Sequence, residues 1–488
     1  MKTINDYVNH LNDLLRGKIV PGDAIVSRVT CDSRQVSSGS LFCAIKGSLS
    51  DGHDFIKAAV SKGAVAIVHS YDPDEYATGI SYLKVKEPYL AYAMACELFF
   101  DCPAERLRLH GITGTNGKTT TAFLLQHVLT ASGLNTGLIS TVECRDGGKV
   151  IPSAHTTPEA SELHGLFRRI ADNNCSDAVM EVSSHGLDQF RPGSAKFHTA
   201  VFTNLTGDHL DYHGDMGKYF AAKKNLFSHY LAPGGNAIVN IDDECGKMLA
   251  AALKNKHVTR YGQGRNADCR IINLKTGTSG TGFEIEFKGR RFKINSPLIG
   301  EYNAYNNCAA FAAAVFAGID ATAVADILSR EIKVPGRLEC FRDARGVTYF
   351  VDYAHTDDAL RNVLRNLRII APARIITVFG CGGNRDRSKR PRMAAAAAEY
   401  SDLLIITSDN PRREDPMAII SEIKAGIPAG TEFYIEPDRA EAIRFASEAA
   451  QKDDIVLVAG KGHETYQDIK GRLFDFDDRK IIMSICAS

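Results

Sequence analysis

"HGITGTNGKTTTAFLL", residues 110–125, is the stretch on which the reading of this chain turns. A strand-like "RLHGIT" runs into a glycine-rich loop, and "TTAFLLQHVLTASG" then shows helical apolar spacing ended by Gly133. A strand feeding such a loop at the start of a helix aims backbone N–H groups and the positive helix end at an anion. Lys118 can reach outer phosphates, and Thr119 or Thr120 can offer a hydroxyl to Mg²⁺. The common phosphate-loop pattern places four residues between its first glycine and the Gly-Lys pair. Counting back from Lys118, that glycine should stand at 112, where the chain has Ile112; Gly111 is too early and Gly114 too late. The stretch is a degraded nucleotide site, a working one of another lineage, or a plain strand-to-helix turn with a surface lysine.

Further along, "DAVMEVSS", "TAVFTNLT" and "GNAIVNID" are apolar runs that end in polar residues. Strands alternating with helical stretches imply a parallel sheet with ligands at the strand carboxyl ends. The Ala-rich segment 301–331 reads as two helices closing this block, and the turn-rich "KVPGRLE" (333–339) as a hinge. Beyond it, "TYFVDYAHT", "RIITVFGCGGN", "DLLIITSDNP" and "DIVLVAGKGHE" repeat the strand-then-loop pattern of a doubly wound domain. Ahead of the loop, "SLFCAI" and "AVAIVHS" suggest a small α/β unit. The expected domains are 1–106, 107–334 and 335–488, consistent with a chain of 488 residues.

Composition narrows the class. Lys plus Arg and Asp plus Glu are 58 each, a balance that points away from nucleic-acid and membrane-surface binding. The first twenty residues lack the continuous apolar core of a secretory signal, and "AAFAAAVFAGI" (309–319) is too short to span a bilayer. Twelve cysteines occur without a C-x-x-C pair or metal-finger spacing, as free core thiols of a reducing cytosol would. The expectation is a cytoplasmic protein.

Phosphoryl chemistry needs groups that hold a metal near the transferred phosphate. "VMEVSSHG" offers Glu181 after one apolar run; "FTNLTGDHLDYHG" offers Asp208, His209, Asp211 and His213 after the next. Singly these read as helix caps or loop polars. Two consecutive strand ends aimed at the loop's edge read together as a hard-metal site, not zinc, since no thiolate or close His-x-x-x-His pair accompanies them.

"GITGTNGKTTT", "HTTPEASELH", "MEVSSHGLDQFR", "FTNLTGDHLDYHGDMGKYFAAKKNLF", "PGRLE", "VDYAHT", "DNPR" and "GKGHE", in that order, resemble the Mur ligase family, and within it the MurE type. The resemblance spans essentially the whole chain. That family uses the G-T-N-G-K-T loop, so the displaced glycine marks lineage and not decay. The resemblance implies an α/β enzyme of three domains: a small N-terminal uridine-binding domain, a central P-loop ATPase-like domain with a mainly parallel sheet, and a Rossmann-like C-terminal domain. It implies that ATP phosphorylates the γ-carboxylate of UDP-N-acetylmuramoyl-L-alanyl-D-glutamate, and that an amino acid's amine attacks the acyl phosphate. A monomer working in cytoplasmic peptidoglycan precursor synthesis, with Mg²⁺ in two sites, is the expected setting. The physical logic holds without the name: a carboxylate lacks a good leaving group, phosphorylation supplies one, and the rest is positioning and charge neutralisation.

Carried onto this sequence, the resemblance makes Gly114, Thr115, Asn116, Gly117, Lys118, Thr119 and Thr120 the ATP loop, with Thr119 near the first metal. Glu181 and His209 match magnesium ligands. The spacing in "AAKKNLF" selects Lys223, not Lys224, as the lysine that the family carbamylates; adjacent helical residues point about 100° apart, so only one can face the site. Asn303, Arg337, Tyr353 and His355 match positions around ATP, although Asp357 stands where the family commonly has proline. Ser33, Thr156, Thr157, Ser183, Gln189 and Arg191 match the UDP-substrate side.

The amino acid added is read from the last domain. Asp409, Asn410, Pro411 and Arg412 form the "DNPR" that resembles the diaminopimelate enzymes. meso-Diaminopimelate carries an extra carboxylate relative to L-lysine, and a guanidinium reads a carboxylate bidentately. Arg390 is a second candidate for that carboxylate, and Gly460 and Glu464 for the distal amine. The alternatives are an L-lysine-adding ligase, a folylpolyglutamate synthetase-like ligase, and a nucleotide-switched binding module without an acceptor site.

Overall fold

A computed structural model describes residues 1–47, 50–153, 155–277, 280–371 and 373–487. Strand Arg108–Thr113 is buried along almost its whole length, as a strand covered on both faces of a parallel sheet must be. It lies between Asp177–Glu181 and Phe197–Phe202, parallel to both. The three carboxyl ends therefore leave the sheet on one edge, carrying the glycine-rich loop, Glu181 and the 203–209 segment together. Gly111, the early glycine, belongs to the strand: a Cβ there would meet the Phe197 ring at 2.8 Å. Its smallness serves packing.

Among the described residues the central sheet has eleven strands. Thr136–Ile139 extends the parallel part on one side; Leu231–Asn240, His257–Gly262 and Cys269–Gly277 extend it on the other. Both edges turn antiparallel, through Glu143–Arg145 with Val150–Pro152 and through Gly280–Phe287 with Arg290–Ser296. Helices Lys118–Ala131 and Glu301–Phe316 cover one face, where Phe123, Leu124 and Val128 share a core with Ala309, Ala310 and Ala313. Alanine lets the second helix approach closely, and each large apolar side chain fully buried here contributes roughly 1.5–3 kcal/mol. Helices Ala160–Asp172 and Met216–Ser228 cover the other face with Leu163, Phe167, Leu226 and Phe227.

The N-terminal sheet orders Leu15–Ile19, Ser81–Val85, Ala64–His69, Ser40–Cys43 and Arg28–Thr30, with helix Pro88–Phe99 packed on it. The C-terminal sheet orders Glu339–Arg342, Thr348–Asp352, Ile455–Ala459, Ile375–Phe379, Leu403–Ile406 and Phe433–Ile435, all parallel except the first. Its carboxyl-end loops begin at 353, 380, 407 and 460. All twelve cysteines are free, but Cys340 is exposed and Cys31, Cys102, Cys245 and Cys486 are only partly covered, so not all are core residues. Among the described residues no helix is long and apolar enough to cross a membrane.

Candidate active site

The carboxyl-end loops of the central and C-terminal sheets face each other across a cavity of about 1710 Å³. The glycine-rich loop forms its floor. Gly117 opens helix Lys118–Ala131 at φ 84°, and a Cβ there would strike Asn306 Oδ1; Gly114, at φ 147°, abuts Thr203 Oγ1 in the same way. Only glycine meets both demands. Asn204 holds the loop by accepting from Asn116 N at 2.9 Å through its side chain and from Thr115 N at 2.9 Å through its carbonyl. Thr203 Oγ1 donates to Asn116 O at 2.6 Å.

Lys118 Nζ donates to the Gly114 and Thr115 carbonyls at 3.0 and 2.8 Å, folded back over the loop. Lys223, 1 % exposed, donates to the same Gly114 carbonyl at 2.8 Å and lies over the Tyr219 ring. Burial, and then the neighbouring Lys118 charge, hold its amine well below the usual lysine range. Burial lowers Lys118 as well, against the opposing pull of Glu181 and Asp208.

Glu181, fully buried, ends its strand with Oε1 accepting from Thr141 N at 2.8 Å and Oε2 from Thr141 Oγ1 at 3.2 Å, so each oxygen keeps a lone pair. His209 sits at φ 54° with Nε2 only 3.4 Å from Asp208 Oδ2, and burial pushes its pKa down to about 4, leaving a neutral imidazole at neutral pH. A buried carboxylate, a neutral imidazole and the Thr119 hydroxyl are donors that suit Mg²⁺. Among the described residues, Glu181 and His209 belong to no group of three His, Cys, Asp or Glu ligand atoms within 4.8 Å of one another. That openness fits an ion that keeps waters and takes phosphate oxygens, and does not fit a closed zinc cage.

From across the cleft, Arg337 Nη2 donates to Thr119 Oγ1 at 2.9 Å while its guanidinium stacks 5.0 Å from the Tyr353 ring. His355 Nδ1 donates to the Tyr353 carbonyl at 2.9 Å, leaving Nε2 as an acceptor, and burial with Lys389 nearby depresses its pKa to about 4. Asn303 lines the cavity, yet its amide is engaged by the Ile299 carbonyl and Asn306; it braces Asn306 behind Gly117. Thr120 lines the cavity beside Thr119.

Thr156, Thr157, Ser183 and Arg191 reach the same cavity. Thr157 is occupied structurally, donating to the Glu181 carbonyl at 2.8 Å and accepting from Ser183 N at 2.9 Å. Gln189 does not line the cavity; its Oε1 orients Arg191 at 2.8 Å. Ser33 lies apart from the cleft in the first domain, its carbonyl accepting from Lys62 at 2.7 Å.

In the last domain, Asp409, Asn410, Arg412, Gly460 and Glu464 line the cavity, and Pro411 is buried behind them. Arg412 takes φ 53°, its backbone tied to Asp468 and Lys470, and its Nη1 donates to the Gly383 carbonyl at 2.9 Å. Among the described residues no carboxylate pairs with it, so an anion-seeking guanidinium faces the cavity. Arg390 corrects the sequence reading. It is fully buried, with Nη1 and Nη2 paired to Glu414 at 3.0 Å and Nη1 to Glu422 at 2.8 Å, and it does not line the cavity. Its charge is already satisfied inside the domain.

Sequence reasoning missed residues whose partners are distant in the chain. Asp358 Oδ2 accepts from Asn116 Nδ2 at 3.0 Å and Thr206 Oγ1 at 3.1 Å, joining the last domain to the phosphate loop. Lys461, fully buried, donates to Asn410 Oδ1 at 3.1 Å and Glu464 Oε2 at 3.0 Å. The only signal for either was membership of "DDAL" and "GKGHE".

The chain matches three family models: "Mur ligase family, catalytic domain" over 25–107, "Mur ligase middle domain" over 112–314 and "Mur ligase, glutamate ligase domain" over 336–462. It is 45 % identical over 466 residues to the UDP-N-acetylmuramoyl-L-alanyl-D-glutamate--2,6-diaminopimelate ligase of Solibacter usitatus, covering 94 % of this chain and 93 % of that one. A solved structure of a ligase of that name superposes with TM-score 0.66 at 33 % identity, covering 95 % of each chain. The folylpolyglutamate synthase of Mycobacterium tuberculosis, solved with ADP and AMPPCP, shares the fold at TM-score 0.65, but at 20 % identity and over 76 % of this chain and 92 % of that one.

Proposed function

The chain belongs to the Mur ligase family, and on that premise we propose that it joins meso-2,6-diaminopimelate to UDP-N-acetylmuramoyl-L-alanyl-D-glutamate, with ATP cleaved to ADP and phosphate. The observation that carries this reading is the near-full-length identity to diaminopimelate ligases, joined to one cleft where the phosphate loop faces an unpaired Arg412.

In this reading Lys118 and Arg337 neutralise the phosphates while the substrate's γ-carboxylate attacks the terminal phosphorus of ATP, and ADP leaves. The amine of diaminopimelate then attacks the acyl carbon; the C–O bond to phosphate breaks and the amine proton passes to solvent or a nearby base. Glu181, His209 and Thr119 would hold Mg²⁺, whose charge screens the phosphates as they approach the carboxylate. The Lys223 amine, lowered well below the usual lysine range by burial and by Lys118, would add to carbon dioxide, forming an N–C bond with loss of a proton, and the carbamate would offer anionic oxygen to a second ion. Arg412 reads the distal carboxylate, which L-lysine lacks. The reading further takes the chain as a monomer acting in the cytoplasm.

ATP-dependent phosphate release, with the UDP-dipeptide and meso-diaminopimelate, L-lysine or no amino acid, tests this. Turnover with diaminopimelate alone is expected. Turnover with lysine overturns the role given to Arg412, and turnover with neither overturns the ligase reading.

A further inference from the structure

Away from the cleft, three side chains of different chemistry converge where the first domain joins the second. His10 ends helix Ile4–His10, Glu97 lies in the last turns of helix Pro88–Phe99, and Cys102 follows in the turn leading to strand Arg108–Thr113. One ring nitrogen of His10, one carboxylate oxygen of Glu97 and the Cys102 sulfur all lie within 4.8 Å of one another.

Two observations set this group apart from ordinary packing. Glu97 is 1 % exposed, and among the described residues its carboxylate accepts only from Ser194 N at 3.0 Å and Ser194 Oγ at 2.5 Å. Among the described residues no cation pairs with it; Lys2 and Arg168, at the same corner, are both committed to Asp101. A buried carboxylate with only neutral donors is costly unless a positive charge joins it. Independently, among the described residues His10 Nε2 is buried with no hydrogen-bond partner. Cys102 cannot readily swing away: Asp101 and Cys102 both adopt positive φ, and Cys102 N donates to the Glu97 carbonyl at 2.9 Å.

We propose that His10, Glu97 and Cys102 bind one zinc-class divalent cation, which pins the first helix to the joint between the first two domains. Imidazole, thiolate and carboxylate together suit a borderline-soft ion, whereas Mg²⁺ would not choose sulfur. Around a tetrahedral zinc with bonds of about 2.0–2.3 Å, neighbouring ligand atoms stand about 3.3–3.8 Å apart. The three atoms, within 4.8 Å of one another, would draw together onto that geometry, leaving a fourth position for water. His10 lies far upstream of Glu97 and Cys102, so no short spacing motif announces the site.

The test uses the full chain, stripped with chelator and then exposed to Zn²⁺ or Co²⁺ before gel filtration. Wild type is expected to retain stoichiometric zinc, gain thermal stability, and with cobalt show a thiolate-to-metal charge-transfer band. Cys102→Ala and His10→Gln should lose the band and the retained zinc while keeping ligase turnover, since neither residue touches the cleft. Should either variant fail to fold, alkylation mapped by mass spectrometry serves in wild type: zinc should protect Cys102 and leave Cys340 reactive. Equal zinc retention and equal cobalt spectra in wild type and Cys102→Ala, or no protection of Cys102, overturns the proposal.

Discussion

Lys118 and Lys223 share one acceptor, the Gly114 carbonyl. Two ammonium groups that close disfavour each other's charge, and burial deepens the effect. Burial and the Lys118 charge therefore lower the Lys223 amine well below the usual lysine range, which would favour carbamate formation. Removing carbon dioxide from the buffer is expected to lower turnover, with bicarbonate restoring it. Lys223→Ala should lose on the order of 10²–10³ in kcat, as loss of a charge-stabilising group does, and should not respond to bicarbonate. The two arginines divide differently. Arg412→Ala should raise KM for diaminopimelate about 10- to 100-fold, as loss of a charge-assisted pair costing roughly 1.5–3 kcal/mol does, leaving KM for ATP nearly unchanged. Arg390→Ala should instead destabilise the last domain by about 2–3 kcal/mol, below the usual loss for a fully buried pair because Glu414 and Glu422 keep some solvent. Urea denaturation separates it from Arg412→Ala. Lys118, Glu181 and His209 could be named as candidates from sequence because phosphate and metal chemistry admit few residue types, and the fold brings all three to one cavity; Arg390 was misread because only its neighbours decide what an arginine pairs with.

Local spacing carried most of the information about elements. The strand–loop–helix at 108–131, the paired helices after 301 and the repeating strands of the last domain all follow from periodicity and turn residues. The antiparallel edges of the central sheet were not foreseen, because edge pairing depends on which strand lies alongside. The departure at Asp357 resolves at this scale. Thr356, with φ −123° and ψ 157°, caps helix Asp357–Ile370 by accepting from Ala359 N, and Asp357 is its first residue. That backbone is the one a following proline requires, and proline is well placed at a first helical position. Asp357→Pro is expected to keep activity and shift stability by less than about 1 kcal/mol, measured by thermal melting and phosphate release. Gly117→Ala should behave oppositely: its Cβ would strike Asn306 at positive φ, and ATP binding should fall about 5- to 150-fold for roughly 1–3 kcal/mol of strain.

Across the whole molecule, burial keeps several histidines neutral. His164 and His463 are depressed to about 3 and His355 to about 4, against an ordinary 6.5, with burial the leading cause in each. Between those values the unfolded chain binds more protons than the folded one. Stability is therefore fully present above about pH 6.5 and is lost as pH falls toward the folded values. At pH 5 the fully buried His164 accounts for about 2 kcal/mol of that loss. The denaturation midpoint should fall from pH 7 to pH 5, and His164→Phe should flatten the fall; a pH-independent midpoint would contradict this account. At this scale the division is clear. Sequence alone determined the α/β class, and it named the glycine-rich loop and the strand-end Glu181 and His209 as candidates, because each rests on residues close in the chain. Tertiary structure decided that Arg337 and Asp358 meet the loop from another domain, that Arg390 is spent internally, and that His10, Glu97 and Cys102 meet at all. Arg337 and Asp358 lie far from the loop in sequence, and His10 far from Glu97 and Cys102, and only folding sets the distances on which charge and hydrogen bonding act.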